Sequence, residues 1–249
     1  MKIQNVLNLL EQYAPLSLSN EFCQRYDAYD NSGLIVKIDE DITGIVFSLD
    51  LTSKAVNTAI EKGYNLIVTH HPAIYKGIKS IGYSDALYKA ISNGIGVISM
   101  HLNLDCAKLG IDYYLAKGLG AKTQTVLMPV GDYGYGRTFE VDATLSQIVE
   151  NYKSTFDSDK VFVYGDKDAK IKKISSFCGA GFSEYEYQLS KDSDLIISSD
   201  IPHHMTLKVL ESGRNLMQIT HYASEAYGFS KFYQSVQFEN KIFVKEKNM

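Results

Sequence analysis

Short apolar runs alternate with amphipathic segments along the chain, and this pattern predicts its secondary structure. An N-terminal helix is followed by three strands with two helices between them, at 1–13, 42–49, 53–62, 65–68, 84–93 and 96–100. Gly63 and Gly94 mark the ends of the two helices between the strands. Strands that alternate with helices in this way are typical of a mostly parallel sheet flanked by helices.

A similar pattern returns in the second half of the chain. One helix and three strands are predicted there, at 145–152, 160–164, 174–178 and 194–200. Residues 126–138 are rich in glycine and tyrosine, and we expect a boundary between two lobes in this segment. The segment 194–204 resembles 65–72, since each is a short apolar strand followed by a loop with a proline and two adjacent histidines. This is a weak indication of an internal duplication.

The six histidines are concentrated in short clusters, each with a carboxylate in it or near it. They are His70, His71, His101, His203, His204 and His221. Nitrogen and oxygen donors that are grouped in this way indicate a metal site, and the number of donors suits two ions. Imidazole together with carboxylate favours zinc, manganese or iron(II).

The histidines at 70, 71 and 101 follow predicted strands, at the strand ends where α/β proteins gather their ligands. His70 and His71 follow one strand directly, and His101 follows another. Adjacent residues of a regular strand point to opposite faces, but the backbone leaves that regularity before Pro72, so both rings can reach a metal ion. The alternative is a histidine pair in an exposed turn.

Two carboxylates are the natural partners of these histidines. His221 and Glu225 are four residues apart, so on a helix they share one face and can bind a common ion. Asp105 comes four residues after His101, just beyond a predicted strand. Other interpretations stay open, because surface histidine–glutamate pairs are common on helices and because Asp105 also suits a helix cap.

Such a site predicts a hydrolytic reaction, because two neighbouring divalent ions lower the pKa of bound water and polarise a carbonyl or phosphoryl oxygen. Asp200 and His204 are candidates for proton transfer, although ordinary loop polarity explains them equally well. Arg137 can chelate a phosphate group. The backbone of 178–183 can also approach phosphate, but a tight turn is the simpler interpretation of that segment.

Composition limits the classes of protein to consider. Of 249 residues, 45% are apolar and 22% are charged, as in ordinary globular proteins. The net charge of −4 supplies no general basic surface and argues against a nucleic-acid partner. Three cysteines without CxxC spacing argue for a reducing compartment, and no apolar run is long enough to span a membrane. We therefore expect a cytoplasmic protein.

A set of short motifs, taken in order, closely resembles the family of GTP cyclohydrolase 1 type 2 homologues, also called the Nif-three-like family. The motifs lie at 30–34, 48–52, 69–72, 101–105, 136–137, 178–181, 199–200 with His204, and 221–225. Each motif is weak alone, but the ordered set is specific and covers essentially the whole chain. One departure is Ser199 before Asp200, where a glycine is more usual.

The resemblance implies a role for each residue that matches a motif. The implied metal ligands are His70, His71, Asp105, His221 and Glu225. His101 would lie near the metal site, and Arg137, Asp200 and His204 would face its cavity. We place His101, Asp200 and His204 in the catalytic group and Arg137 in the substrate-binding group.

The resemblance also implies an architecture and an assembly. It predicts two intertwined α/β lobes with mostly parallel sheets flanked by helices and a metal site between the lobes. We assign 1–126 with 219–249 to the first lobe and 127–218 to the second. Family members of this short form lack an inserted domain, and the family assembles as a ring-shaped homohexamer. We expect two divalent ions per subunit.

Two functions from different classes follow from these observations. The leading hypothesis is a metal-dependent hydrolase of a nucleotide, with the conversion of GTP to dihydroneopterin triphosphate and formate as its specific form. The alternative is a non-catalytic metal-binding ring that serves as a scaffold or regulator for a protein or nucleic-acid partner. Because fold and metal site do not fix a substrate, the site itself must distinguish them.

Overall fold

The computed structural model describes residues 1–246, which divide into two compact units. Of the described residues, the first unit consists of 1–108 and 229–246, and the second unit consists of Leu109–Gly228. The chain therefore leaves the first unit once and returns to it near the end. Each unit contains one β-sheet and several helices.

The first unit is built on a five-stranded sheet. Its strands are β1 (Gly33–Val36), β2 (Ile45–Ser48), β3 (Leu66–Thr69), β4 (Gly96–Ser99) and β11 (Lys241–Val244). Their order is β1-β4-β3-β2-β11; β4, β3, β2 and β11 run parallel, and β1 is antiparallel to β4. The helices that begin in this unit are α1 (Ile3–Glu11), α2 (Leu16–Tyr26), α3 (Ser53–Lys62), α4 (Ala86–Ser92) and α5 (Leu102–Asp105).

The apolar character of the central strands explains their position in the sheet. Every residue of β2, β3 and β4 is buried, as is typical of parallel strands that are covered on both faces. Val46, Ile67 and Val97 of these strands pack in one core cluster with Val56 of α3. Helix α3 ends where Gly63 adopts a left-handed conformation, which a glycine enters without steric cost.

The second unit is built on a six-stranded mixed sheet. Its strands are β5 (Thr125–Val130), β6 (Tyr133–Thr144), β7 (Val161–Tyr164), β8 (Lys170–Ser176), β9 (Leu195–Ser198) and β10 (Asn215–Ile219). The order is β5-β6-β8-β9-β10-β7, in which β8, β9 and β10 run parallel and the remaining pairs are antiparallel. The helices are α6 (Ile111–Gly118), α7 (Leu145–Phe156), α8 (Glu184–Leu189), α9 (His203–Glu211) and α10 (His221–Ser235). Helix α10 runs across the division of the chain at Gly228.

The predicted α/β class, with two sheets flanked by helices, is confirmed. The segment 131–137, where the sequence predicts a lobe boundary, forms the turn and the start of β6 in the β5–β6 hairpin. His203 and His204 begin helix α9 instead of lying in a loop; Pro202 directly precedes them, where a proline costs no helical hydrogen bond because the first N–H groups of a helix have no acceptor within it. The predicted bounds of the two lobes stay a prediction. The last three residues assigned to the first lobe, 247–249, lie outside the described residues.

The helices also bear on membrane insertion. Among residues 1–246, no helix combines the length and the apolar character that a bilayer-spanning segment needs.

Candidate metal centre

Three neighbouring parallel strands of the first unit are followed by residues that can bind a metal ion or orient a ligand. Asp50 follows β2, His70 and His71 follow β3, and His101 follows β4. Because the carboxyl ends of parallel strands meet at one edge of the sheet, the fold brings these side chains together. One nitrogen from each of the three histidines lies within 4.8 Å of the others, so this cluster can hold a metal ion.

The backbone at the end of β3 directs both adjacent histidines into this cluster. The N–H groups of His70 and His71 both donate to the carbonyl oxygen of Leu49, at 3.1 and 3.0 Å. This shared acceptor breaks the alternation of a regular strand, so the two rings do not diverge to opposite faces. Their centroids are 4.9 Å apart, and the His70 ring is also 5.0 Å from the ring of His101. The prediction that both rings can reach one site is consistent with this geometry.

Each ring of the cluster is oriented through its Nδ1 atom. His70 Nδ1 lies 2.8 Å from the carbonyl oxygen of Met100, which can only accept. His71 Nδ1 lies 2.7 Å from Asp50 Oδ1, and His101 Nδ1 lies 2.7 Å from Asp30 Oδ1. With the hydrogen held on Nδ1, each of these rings presents the lone pair of Nε2 whenever it is neutral. Metal-binding histidines in proteins are oriented by partners of this kind.

Asp30 is the most firmly held of these partners. Its side chain is buried and accepts hydrogen bonds from the hydroxyl groups of Ser19 and Ser32, both at 2.5 Å, besides the bond from His101. Burial alone raises the pKa of the Asp30 carboxyl, but the hydrogen bond and charge of His101 and the two serine hydroxyls outweigh it. The pKa of Asp30 therefore lies well below its usual range, and the carboxylate stays ionised beside His101.

Asp105 adds a buried carboxylate to the first unit. Its Oδ1 atom lies 3.6 Å from Nε2 of His70, and both side chains are almost fully buried. This separation exceeds a hydrogen bond, but it is close to the edge of about 3.4 Å expected between two ligands with metal bonds of about 2.1 Å in a tetrahedral set. The pair therefore fits a shared divalent ion.

The second unit has its own row of strand ends, at β8, β9 and β10. Gly179 follows β8, Asp200 follows β9, and His221 follows β10 and begins α10. Asp200 Oδ2 lies 2.5 Å from Nδ1 of His221, and Nε2 of the same ring lies 3.1 Å from Oε1 of Glu225, one helical turn further on. The predicted shared helical face of His221 and Glu225 has this geometry.

The protonation of His221 decides what this ring and the Glu225 carboxylate can bind between them. If Asp200 holds the hydrogen on Nδ1, a neutral ring presents its Nε2 lone pair to the buried carboxylate of Glu225. Two acceptors that face each other repel, and either a proton or a metal ion between them removes the repulsion. Nitrogen and oxygen donors suit zinc, manganese or iron(II), so the donor set of this unit also fits a divalent ion.

Asp200 adopts an unusual backbone conformation. Its φ angle is +48°, in the left-handed region that residues other than glycine, asparagine and aspartate seldom adopt. Strained residues of this kind concentrate at functional sites. In Asp200, this conformation accompanies the contact of the carboxylate with His221.

Gly179 leaves room for Glu225. Its φ angle is +56°, and a Cβ atom at this position would lie 2.4 Å from Glu225 Oε1 and 3.3 Å from His221 Nε2. The Gly179 N–H donates to the hydroxyl oxygen of Ser224 at 2.9 Å, and the Ser199 hydroxyl donates to the Gly179 carbonyl at 2.5 Å. The backbone is therefore fixed directly against the histidine–glutamate pair.

Comparison with known proteins identifies the family. A family model described as Duf34/NIF3 (NGG1p interacting factor 3) matches residues 1–248. The chain belongs to the Duf34/NIF3 family. It is 31% identical over 236 residues to a protein of Clostridium acetobutylicum named GTP cyclohydrolase 1 type 2 homolog, covering 90% of this chain and 85% of that protein. The family predicted from the ordered motifs is thus confirmed.

Solved structures agree with this membership in the Duf34/NIF3 family. A hypothetical protein of Staphylococcus aureus is similar, with a TM-score of 0.81 and 31% identity over 94% of this chain and 90% of that one. A Bacillus cereus protein related to NIF3 has a TM-score of 0.83 at 18% identity, over 98% of this chain and 97% of that one, which shows the shared fold.

Two further predicted residues of this Duf34/NIF3 chain lie in different environments. The Arg137 side chain is buried, and its Nη1 atom donates to the carbonyl oxygens of Gly134 and Gly136 at 2.7 and 3.0 Å. His204 is exposed in the first turn of α9. Their roles in substrate binding and proton transfer stay predictions.

Of the residues that orient the histidines, Asp30 and Asp50 are not among those predicted from the sequence, whereas Asp200 is. The pattern around Asp30 favours a turn, and Asp50 stands out only within a motif of the resemblance. Asp50 directly follows the predicted strand 42–49, and this signal could have found it, since a carboxylate at a strand end shares an edge with the histidines of the next strand. The pairing of Asp30 with His101 joins positions far apart in the chain, and no local pattern indicates it.

Proposed function

We propose that this Duf34/NIF3 protein is a hydrolase that depends on two divalent metal ions per subunit. The observation that carries the proposal is the shared orientation of the histidines in both units: His70, His71, His101 and His221 each meet a carbonyl or carboxylate through Nδ1. This leaves the lone pair of Nε2 to a metal ion in the three proposed ligands and to a proton in His101. A buried carboxylate lies near Nε2 of two of them, Asp105 by His70 and Glu225 by His221.

The proposed ligands are His70, His71, Asp105, His221 and Glu225, with His101 beside them, and zinc, manganese or iron(II) as the metal. When bound, a pair of such ions lowers the pKa of water and polarises an oxygen atom of the substrate. The residues of the chain have their own roles. Asp30 and Asp50 hold the rings of His101 and His71, and the carboxylate of Asp105 offsets positive charge in a buried position.

Proton transfer is assigned to His101, Asp200 and His204. Asp200 has a second role in this proposal, because its contact with His221 Nδ1 fixes which nitrogen of that ring is protonated. His101 is partly exposed beside the buried His70, so a proton accepted on its Nε2 atom can pass to solvent while Asp30 stabilises the charged ring.

We propose a nucleotide as the substrate and, specifically, the conversion of GTP to dihydroneopterin triphosphate and formate. The names of relatives such as the Clostridium acetobutylicum protein support this choice. Arg137 is the proposed phosphate contact, which requires the guanidinium to retain donors beyond those that bind Gly134 and Gly136. A cytoplasmic, hexameric protein is part of the same proposal.

The test is to incubate GTP with protein loaded with Mn²⁺, Zn²⁺ or Fe²⁺ and to measure formate and pterin products by chromatography with mass detection. Glu225→Gln keeps the shape of the side chain but removes its charge, so we expect formate production to fall by more than about tenfold. Glu184→Gln is the matched control, because Glu184 is exposed on α8 and pairs with Lys208. Unchanged GTP with every metal would remove this substrate and favour the non-catalytic metal-binding ring.

A further inference from the structure

Two half-exposed tyrosine rings lie beside the histidine cluster of the first unit. The Tyr75 ring stands perpendicular to the ring of His101, with centroids 6.2 Å apart, and Tyr29 packs edge-on against Tyr75 at 5.2 Å. Tyr29 is 49% exposed and Tyr75 is 44% exposed, so each ring keeps a large part of its surface open to a ligand. We call these two rings the Tyr29–Tyr75 platform.

Hydrogen bonds hold the platform in place. The Tyr75 hydroxyl donates to the carbonyl oxygen of Tyr29 at 2.8 Å, and the Asn31 side-chain amide donates to the carbonyl oxygen of Ile74 at 2.6 Å. Asp30, between Tyr29 and Asn31 in the chain, holds the His101 ring. Three consecutive residues therefore connect the platform to the histidine cluster, and the rings are ordered before any ligand arrives, which reduces the entropic cost of binding.

A positive charge accompanies the platform. The Lys76 ammonium group lies 5.8 Å from the centroid of the Tyr29 ring, within range of a cation–π contact. Lysine binds phosphate as a point charge, and tyrosine rings bind planar heterocycles by stacking. Aromatic surface with one cation next to reactive groups is the composition expected of a site for a planar anionic ligand.

We propose that the Tyr29–Tyr75 platform is the base-binding subsite of the centre: it stacks the heterocycle of a nucleotide, and Lys76 supplies a phosphate contact in addition to that proposed for Arg137. This inference rests on the proposed function in that it names the group which selects nucleotides for the same site. It assigns base selection to two tyrosines that no pattern in the sequence distinguishes from the other tyrosines among the eighteen of the chain.

The test compares two probes that differ by the base. Binding of GMP and of ribose 5-phosphate to the Zn²⁺-loaded full chain is measured by calorimetry. We expect GMP to bind roughly tenfold more tightly, and Tyr75→Leu and Tyr29→Leu each to abolish most of that difference, because one stacked base contributes a factor of this order. Tyr75→Phe keeps the ring and retains most of the preference, whereas Lys76→Ala weakens both probes alike.

Tyr83→Leu is the matched control. Tyr83 lies in the same segment and is 87% exposed, but its ring contacts Tyr88 instead of His101. Equal binding of GMP and ribose 5-phosphate by the unmodified protein overturns the platform, and so does a GMP preference that survives Tyr75→Leu. A change in molar mass by light scattering in Tyr75→Leu, with the control unchanged, makes the platform a subunit contact and also overturns the proposal.

These outcomes are independent of turnover. Metal content is measured for every variant, and we expect Tyr75→Leu to retain the metal content of the unmodified protein. If GTP is not hydrolysed but GMP binds with a preference that depends on Tyr75, the platform stands and the hydrolase proposal fails. If GTP is hydrolysed but GMP binds no more tightly than ribose 5-phosphate, the hydrolase proposal stands and the platform fails.

Discussion

At the scale of single residues, the site depends on a position without a side chain as much as on the side chains that bind. Gly179 is the clearest example, since a methyl group there would lie 2.4 Å from the Glu225 carboxylate. Gly131 has nearly the same φ angle, +54° against +56°, but a methyl group there would meet nothing within 4 Å beyond its chain neighbours. Alanine substitutions at the two glycines therefore distinguish the effect of the left-handed backbone from the effect of steric crowding at Glu225.

Gly179→Ala is predicted to weaken metal binding by roughly 10- to 100-fold, because the methyl group displaces the carboxylate of a proposed ligand. The left-handed backbone alone should lower the free energy of unfolding by about 1 kcal/mol in both Gly179→Ala and Gly131→Ala. Metal affinity, measured by competition with a chromophoric chelator, distinguishes them. Equal affinities in the two variants would contradict the proposed role of Gly179.

At the scale of elements, Asp112 joins three parts of the second unit. It lies in the first turn of α6, and its carboxylate accepts hydrogen bonds from the N–H groups of Gly136 in β6, at 2.7 Å, and of Cys178 after β8, at 3.0 Å. Burial raises the pKa of Asp112 to about 6, although the charge of Arg137 and these two bonds oppose the shift. The loop that carries Gly179 is thus anchored by a carboxylate whose ionised form is costly.

The pH dependence follows from the direction of this shift. The folded state holds the Asp112 proton up to about pH 6, whereas the unfolded chain releases it near the ordinary pKa of 3.8, so stability is lost as pH rises between these values. The loss approaches roughly 3 kcal/mol, because the two pKa values differ by about two. Asp112→Asn removes this dependence. The free energy of unfolding in urea is measured for the unmodified protein and for Asp112→Asn at pH 4.5 and pH 7. The unmodified protein should exceed the variant by less at pH 7 than at pH 4.5. A difference that is the same at both pH values would show that Asp112 does not titrate in this way.

Elements with strong periodicity could be predicted from the sequence, and those fixed by distant contacts could not. Helix α3 and strands β2 to β4 follow from their apolar runs and from Gly63. The segment 131–137 has few apolar side chains to indicate a strand, and its place in β6 depends on pairing with β5 and β8. The residues at 30–34 favour a turn in the sequence, and strand β1 is short and is ordered by its antiparallel pairing with β4.

At the scale of the whole molecule, the sequence predicts the donors better than their arrangement. The histidine clusters are visible in the chain because imidazoles are few and grouped. Their second partners, such as Asp30 for His101, join segments that only the fold brings together. The tautomers that make Nε2 the metal donor are therefore a property of the folded units, although each participating residue type is evident in the sequence.

A centre for two divalent metal ions is tested most directly by the metal content of the purified protein, measured by plasma mass spectrometry. We expect about two zinc, manganese or iron ions per chain in the unmodified protein and in His203→Ala, whose side chain is exposed at the start of α9, and fewer than about one in Glu225→Gln. Metal content at background in the unmodified protein, after growth and reconstitution with each of the three metals, would rule out the dinuclear centre.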